Sequence, residues 1–217
     1  MKRLLILLIF MIAACAPLSV DVNPTLAPPL PDSTPTSIPA VQVDPATSAP
    51  AAEVTDESNI DILANLPDPD CSALTPADQE GPYYTPDTPE RTSLIDEGMQ
   101  GKKLILAGYV LTADCLPVPT AWLDFWQADM NGEYDNEGYT LRGHQFTDNK
   151  GRYYLETILP GEYPQRPIEH IHVKLQIPGG EVFTTQLYFP IQPVNGLTVQ
   201  LEDKGDHFVA YFNFVMK

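Results

Sequence analysis

The chain has 217 residues and carries 12 Lys and Arg against 29 Asp and Glu, a formal net charge of −17. That balance argues against a nucleic-acid partner, whose phosphates require a basic face. Hydrophobic residues make up 43% of the sequence, enough for a core, but 23 prolines are too many for one compact domain unless they cluster. They do cluster, and the chain divides accordingly.

Met1-Lys2-Arg3 is a short basic stretch, Leu4 to Ile12 is an unbroken apolar run, and Ala13-Ala14-Cys15 closes it with small residues and a cysteine. The apolar run is too short to span a bilayer. Its ending resembles the lipobox of bacterial lipoproteins, which implies cleavage before Cys15 and a diacylglycerol on its thiol; two acyl chains give stable anchoring to a membrane. The alternative is an ordinary secretory signal. Either reading places the mature protein outside the cytoplasm, as a membrane-anchored lipoprotein or in secreted form.

Residues 16–70 are rich in Pro, Thr, Ser, Ala and Asp and contain no Lys or Arg. Such a segment cannot bury enough apolar surface to offset its ordering entropy, and it is expected to be a disordered, acidic tether. Nine acidic residues lie in the first 70, so 71–217 carries 10 basic and 20 acidic residues, a milder charge that serves solubility. Two cysteines remain beyond the signal, Cys71 and Cys115. An even pair in an exported domain predicts a disulfide between them.

The 71–217 segment has the size of one domain and reads as strands. Lys103 to Leu111 is apolar, and Ala121 to Ala128 is rich in aromatic residues. Arg152 to Ile158 follows the turn signal Asp148-Asn149-Lys150-Gly151. His170 to Ile177 alternates, Pro178-Gly179-Gly180 turns it back, and Glu181 to Phe189 completes a hairpin. Thr198 to Leu201 and His207 to Val215 supply closing strands. No long 3.6-residue apolar period follows the signal, so the expected class is all-β, a single β-sandwich.

His170-Ile171-His172 places two imidazoles on one side of a strand, where they can converge on one ion. Two histidines do not complete a site, and no acidic residue follows the pair at a cupin-like position. Two turn-like segments that end in tyrosine precede it: Asn131-Gly132-Glu133-Tyr134 and Pro160-Gly161-Glu162-Tyr163. A phenol titrates near pH 10, so only a strongly Lewis-acidic ion would hold it deprotonated at neutral pH. Anionic hard oxygen together with imidazole suits Fe(III). Taken singly, each tyrosine reads first as a loop aromatic packing on its neighbours, and spacing by itself does not carry the step to a ligand.

Six motifs occur in order: Glu80-Gly81-Pro82-Tyr83-Tyr84; Trp126-Gln127-Ala128-Asp129 leading into Gly132-Glu133-Tyr134; Leu141-Arg142-Gly143-His144-Gln145-Phe146-Thr147-Asp148; Pro160-Gly161-Glu162-Tyr163; His170-Ile171-His172; and Thr185-Gln186-Leu187-Tyr188-Phe189. Together they resemble the intradiol ring-cleavage dioxygenases, the family of protocatechuate and catechol dioxygenases, over nearly all of 71–217. The resemblance implies the β-sandwich of that family and a non-haem Fe(III) held by Tyr134, Tyr163, His170 and His172. It also implies cleavage by O2 of an aromatic 1,2-diol between its hydroxylated carbons, to a cis,cis-muconate-type dicarboxylic acid. Tyr163 matches the tyrosine that leaves the metal to take a substrate proton, and Tyr134 the one that stays.

By the same resemblance Arg166 stabilises negative charge on the ring, and Tyr83 and Gln186 line the substrate site. The family's arginine stands three residues before the first histidine, whereas Arg166 stands four before His170. Trp126 is read as core, and His144 and His207 as structural or exposed. The helical N-terminal region through which catechol-specific members dimerise is replaced here by the tether, so the oligomeric state is left open. Two other classes fit the residues: a transthyretin-like binding sandwich without turnover, and a zinc hydrolase using His170, His172 and His144.

Overall fold

The computed structural model describes residues 57–217. The signal, Cys15 and most of the predicted tether lie outside them. The described residues form one short helix, α1 (Glu57–Ala64), and nine strands: β1 (Lys103–Thr112), β2 (Trp122–Trp126), β3 (Arg142–Phe146), β4 (Arg152–Ile158), β5 (His170–Gln176), β6 (Phe183–Tyr188), β7 (Gln200–Asp203), β8 (His207–Tyr211) and β9 (Phe214–Met216).

The strands make the two-sheet sandwich that the alternation predicts. One sheet has the order β4-β1-β8-β7, with β9 pairing the far end of β1; the other has the order β3-β2-β5-β6. Inward-facing Leu104, Leu106, Leu155 and Phe214 of the first sheet meet Leu123, Phe125, Val173 and Leu187 of the second in one buried core. Each of these strands alternates its side chains, so the residues between them point outward. In β5 the inward positions Ile171, Val173 and Leu175 leave His170, His172 and Lys174 on the outer face.

Residues 57–70 depart from the tether reading. The apolar residues Ile62, Leu63 and Leu66 pack on Ile105, Ala107, Tyr154 and Val209, on the outer face of the first sheet. Arg152 Nη1 also donates to the Leu63 carbonyl at 2.8 Å. Composition over 16–70 is polar on average, but this end of it carries enough apolar side chains to cover an exposed apolar sheet face, and the ordered module begins before residue 71. Cys71 and Cys115 are joined as a disulfide with Cα atoms 5.6 Å apart, which fastens the chain after α1 to the turn following β1.

Beyond the disulfide, residues 76–90 cross the outer face of the second sheet as a strap. Asp78 N donates to Thr184 O at 3.1 Å, and Thr185 Oγ1 donates to Pro76 O at 2.8 Å. Glu80 pairs with Lys174 at 2.8 Å. The strap therefore lies directly over the histidine pair.

Candidate active site

The strand register of the second sheet sets half of the site. Arg142 of β3 stands opposite Trp126 of β2, Trp126 opposite His172 of β5, and His172 opposite Gln186 of β6. These four side chains form one row across the sheet, with exposures of 0%, 1%, 2% and 0%. In the next row His170 stands opposite Tyr188. The indole of Trp126 lies flat on the His172 ring, centroids 4.8 Å apart and planes 10° apart.

The two tyrosine loops set the other half. Asp129 caps the first: its Oδ1 accepts from Asn131 N at 2.8 Å and Glu133 N at 2.9 Å. Its carbonyl accepts from Gly132 N at 3.1 Å and from Gly161 N of the second loop at 2.7 Å. The loops dovetail through their glycines. A Cβ on Gly132 would lie 2.2 Å from Glu162 O, and one on Gly161 would lie 2.4 Å from Met130 O, so only glycine permits the approach. Tyr134 and Tyr163 leave this junction side by side, ring centroids 5.9 Å apart and nearly perpendicular.

All four predicted ligands come together. His170 Nε2 lies 3.1 Å from His172 Nε2 and 3.3 Å from the Tyr134 hydroxyl. The Tyr163 ring is 5.9 Å from the His170 ring. His170 Nδ1 donates to Ile168 O at 2.7 Å, which leaves its Nε2 as a lone pair directed at the cluster. Metal–nitrogen bonds of about 2.1 Å place neighbouring donors roughly 3 Å apart, so this spacing fits one ion. Among the described residues no three His, Cys, Asp or Glu side chains gather as an ion site, and the further donors next to the histidine pair are the two phenols.

Electrostatics suit the same occupant. Burial pulls the His170 pKa down to about 4 and that of His172 to about 2, with the positive Arg166 nearby adding to both. Both imidazoles are therefore neutral ligands at ordinary pH. Burial pushes the phenols of Tyr134 and Tyr163 up, so neither ionises without a cation at the cluster.

Tyr83, carried by the strap, stacks on Tyr134 with centroids 4.4 Å apart and meets Tyr163 edge-on at 6.2 Å. The Arg166 guanidinium donates to Gln186 Oε1 at 2.6 Å and to the Tyr188 hydroxyl. Tyr188 in turn donates to Asp78 at 2.7 Å, and Gln186 Nε2 to Gln79 O at 2.6 Å. The additional residue between Arg166 and His170 is absorbed locally: Ile168 N donates to Arg166 O at 2.8 Å, a tight turn about Pro167.

His144 does not join the pair. Its Nδ1 bonds Thr88 O at 2.7 Å, and it stands opposite Asp124 on β2, away from His172 in the register. The three-histidine zinc arrangement is not assembled. Trp126, read from sequence as core, is buried but serves as the floor under His172. No sequence pattern singles out Arg142, yet it is a wholly buried cation whose charge reaches Tyr134 and His172. The signal for it was its place opposite Trp126, which could be seen only if 142–146 were recognised as a strand.

A family model described as dioxygenase, Dioxygenase_C, matches residues 79–199, more than half of the chain and all four side chains of the cluster. The chain belongs to the intradiol ring-cleavage dioxygenase family. It is 29% identical over 148 residues to the catechol 1,2-dioxygenase of Acinetobacter baylyi, covering 62% of this chain and 48% of that protein. It is 27% identical over 139 residues to a hydroxyquinol 1,2-dioxygenase of a Rhizobium species, covering 52% and 47%. The chain thus spans about half the length of these curated relatives.

Among solved structures, the dioxygenase domain of a dioxygenase carbohydrate-binding protein fusion from the cellulolytic bacterium Streptomyces sp. SirexAA-E is 44% identical. It superposes with a TM-score of 0.65 over 67% of this chain and 99% of that one. A 3-chlorocatechol 1,2-dioxygenase from Rhodococcus opacus is 28% identical, with a TM-score of 0.59 over 73% of this chain and 77% of that one. Members of the intradiol family typically use non-haem Fe(III).

Proposed function

We propose that this protein is a non-haem Fe(III) intradiol dioxygenase that cleaves a catechol-type 1,2-diol with O2 to a cis,cis-muconate-type dicarboxylic acid. The observation that carries the reading is the meeting of two neutral imidazoles and two phenols at one point, with His170 Nε2 3.1 Å from His172 and 3.3 Å from Tyr134. Tyr134, Tyr163, His170 and His172 would hold the ion. Bound there, Fe(III) would draw electron density from a coordinated catecholate and so open its ring carbon to O2.

The residues divide the remaining work. Tyr134 is stacked under Tyr83, so it is the phenol held in place. Tyr163 meets Tyr83 and Tyr134 edge-on rather than stacked, and it starts the turn that leads to Arg166. Its raised pKa makes the Tyr163 phenolate oxygen a strong base, suited to take a proton from a catechol hydroxyl. Arg166, fixed by Gln186 and Tyr188, presents a fixed positive charge beside the ring position. Tyr83 supplies an aromatic wall. The sequence reading of an exported, lipid-anchored protein with Cys15 as the attachment point completes the proposal, and sets this chemistry outside the cytoplasm.

Oxygen uptake across a panel of vicinal diols, with bound iron measured alongside, tests it. The reading expects a wine-red protein from phenolate-to-Fe(III) charge transfer, one O2 consumed per diol, and a ring-opened diacid. A colourless protein that takes up no iron, or an iron-loaded one that consumes no O2 with any diol, overturns it; the second outcome leaves a binding sandwich. Mass spectrometry of the membrane-extracted mature N-terminus checks Cys15.

A further inference from the structure

Arg142 is wholly buried, a costly place for a guanidinium, and no ion pair joins it to a carboxylate among the described residues. Each of its three guanidinium nitrogens donates to a main-chain carbonyl instead. Nε and Nη2 donate to Asp135 O at 3.0 and 2.7 Å, and Nη1 donates to Tyr83 O at 2.6 Å. Asp135 directly follows Tyr134, and Tyr83 is the ring stacked on Tyr134 at 4.4 Å. The cation therefore grips both sides of that stack by their backbone.

The other end of the residue is fixed by the sheet. Arg142 stands opposite Trp126, which stands opposite and stacks on His172, so Arg142 and His172 belong to one rigid cross-strand row. Its own carbonyl is held by Arg91 Nε at 2.9 Å. A planar fork with directional donors can span two carbonyls at a set distance, which the point charge of a lysine cannot. We propose that Arg142 is a positioning residue that fixes the Tyr134 phenol relative to His170 and His172, by tying the loop that bears it to the histidine row. This rests on the reading of those residues as ligands.

The test compares wild type, Arg142→Lys and Arg142→Met with Tyr153→Phe, which loses a buried bond to Phe212 O in the other sheet and serves as a control for stability alone. Ferric affinity is measured by chelator competition and the visible tyrosinate band by absorbance, next to kcat and KM. Both Arg142 variants are expected to lose at least tenfold in ferric affinity and to shift the band; Tyr153→Phe lowers the melting temperature and moves neither. Arg142→Lys with wild-type affinity and band overturns the inference.

If the Arg142 variants do not fold, wild type supplies the answer. Loading with Ga(III), a diamagnetic ion of the same charge, should slow exchange of the Arg142 Nε–H several-fold and leave that of Arg152, bonded to Asp148, unchanged. Equal behaviour of the two overturns the inference. Wild type that binds no ferric ion overturns the site reading together with it, whereas active wild type beside an unaffected Arg142→Lys overturns the positioning role alone.

Discussion

On the outer face of the β4-β1-β8-β7 sheet, Ile62, Leu63 and Leu66 lie against Ile105, Ala107, Tyr154 and Val209. On the outer face of the β3-β2-β5-β6 sheet, Arg142, Trp126, His172 and Gln186 lie beneath the 76–90 strap and the tyrosine loops, buried to the same degree as the core. The first cover is apolar on apolar and stabilises the fold in the ordinary way. The second buries two imidazoles, an arginine and a glutamine, whose desolvation opposes folding unless each polar atom is matched. Gln186 and Arg142 are matched by backbone carbonyls, but Trp126 Nε1 and Arg166 Nε have no hydrogen-bond partner among the described residues. One side of the sandwich is built for stability, and the other gives some of it up to hold a reactive cluster.

The sharpest way to break this contrast is at the cluster. His172→Ala should lower ring cleavage at least about 1,000-fold, or more than ~4 kcal/mol of transition-state stabilisation, and remove the visible band, with the secondary structure kept. Opening the disulfide acts on the other ledger. Cys71→Ser with Cys115→Ser frees a link between residues 44 apart in sequence and should cost up to ~4 kcal/mol by the chain-entropy relation, read by urea unfolding, while activity per folded molecule stays. Tyr163→Phe should reduce kcat about 100-fold while ferric ion is still taken up, a split that steady-state kinetics and metal analysis reveal together.

The metal-free protein should also become less stable in acid. The His170 and His172 pKa values are depressed to about 4 and about 2, below an unfolded value near 6.5. The unfolded chain therefore binds more protons below pH 6.5. Stability contributed by the neutral rings is complete above that pH and falls as the pH drops toward 4, by up to about 1.4 kcal/mol per unit for each histidine. Thermal melts from pH 7 to pH 4.5 should show this slope, and His170→Gln with His172→Gln should flatten it. The smallest effect belongs to the apolar side: Leu63→Ala should cost roughly 1–2 kcal/mol, since the side chain is only partly buried, and leave kcat unchanged.

The sequence made some of this plain and hid the rest for physical reasons. His170-Ile171-His172 was legible because a strand's period of two states which side each residue takes, and β4, β5 and β6 lie within two residues of their predicted bounds. The edge strand β3 is not legible as one, because Arg142-Gly143-His144-Gln145 lacks the β-branched and apolar alternation of a half-buried strand; on its outer side Arg142 is buried beneath the strap and loops, while His144 is half-buried and Phe146 exposed. Arg142 was therefore invisible as a member of the histidine row. The convergence of Tyr134 and Tyr163 depends on two glycines meeting across loops far apart in sequence, which only the family resemblance anticipated. Composition averaged over 16–70 concealed the few leucines and isoleucines near residue 63 that find a sheet to cover.

The dovetail of Gly132 against Glu162 O and Gly161 against Met130 O leaves no room for either loop to be remodelled alone. Loops taken from a homologous protein would have to be grafted as a pair. Diversification has freer scope at the tip of the turn between Tyr163 and Arg166, where the side chains of Pro164 and Gln165 are exposed.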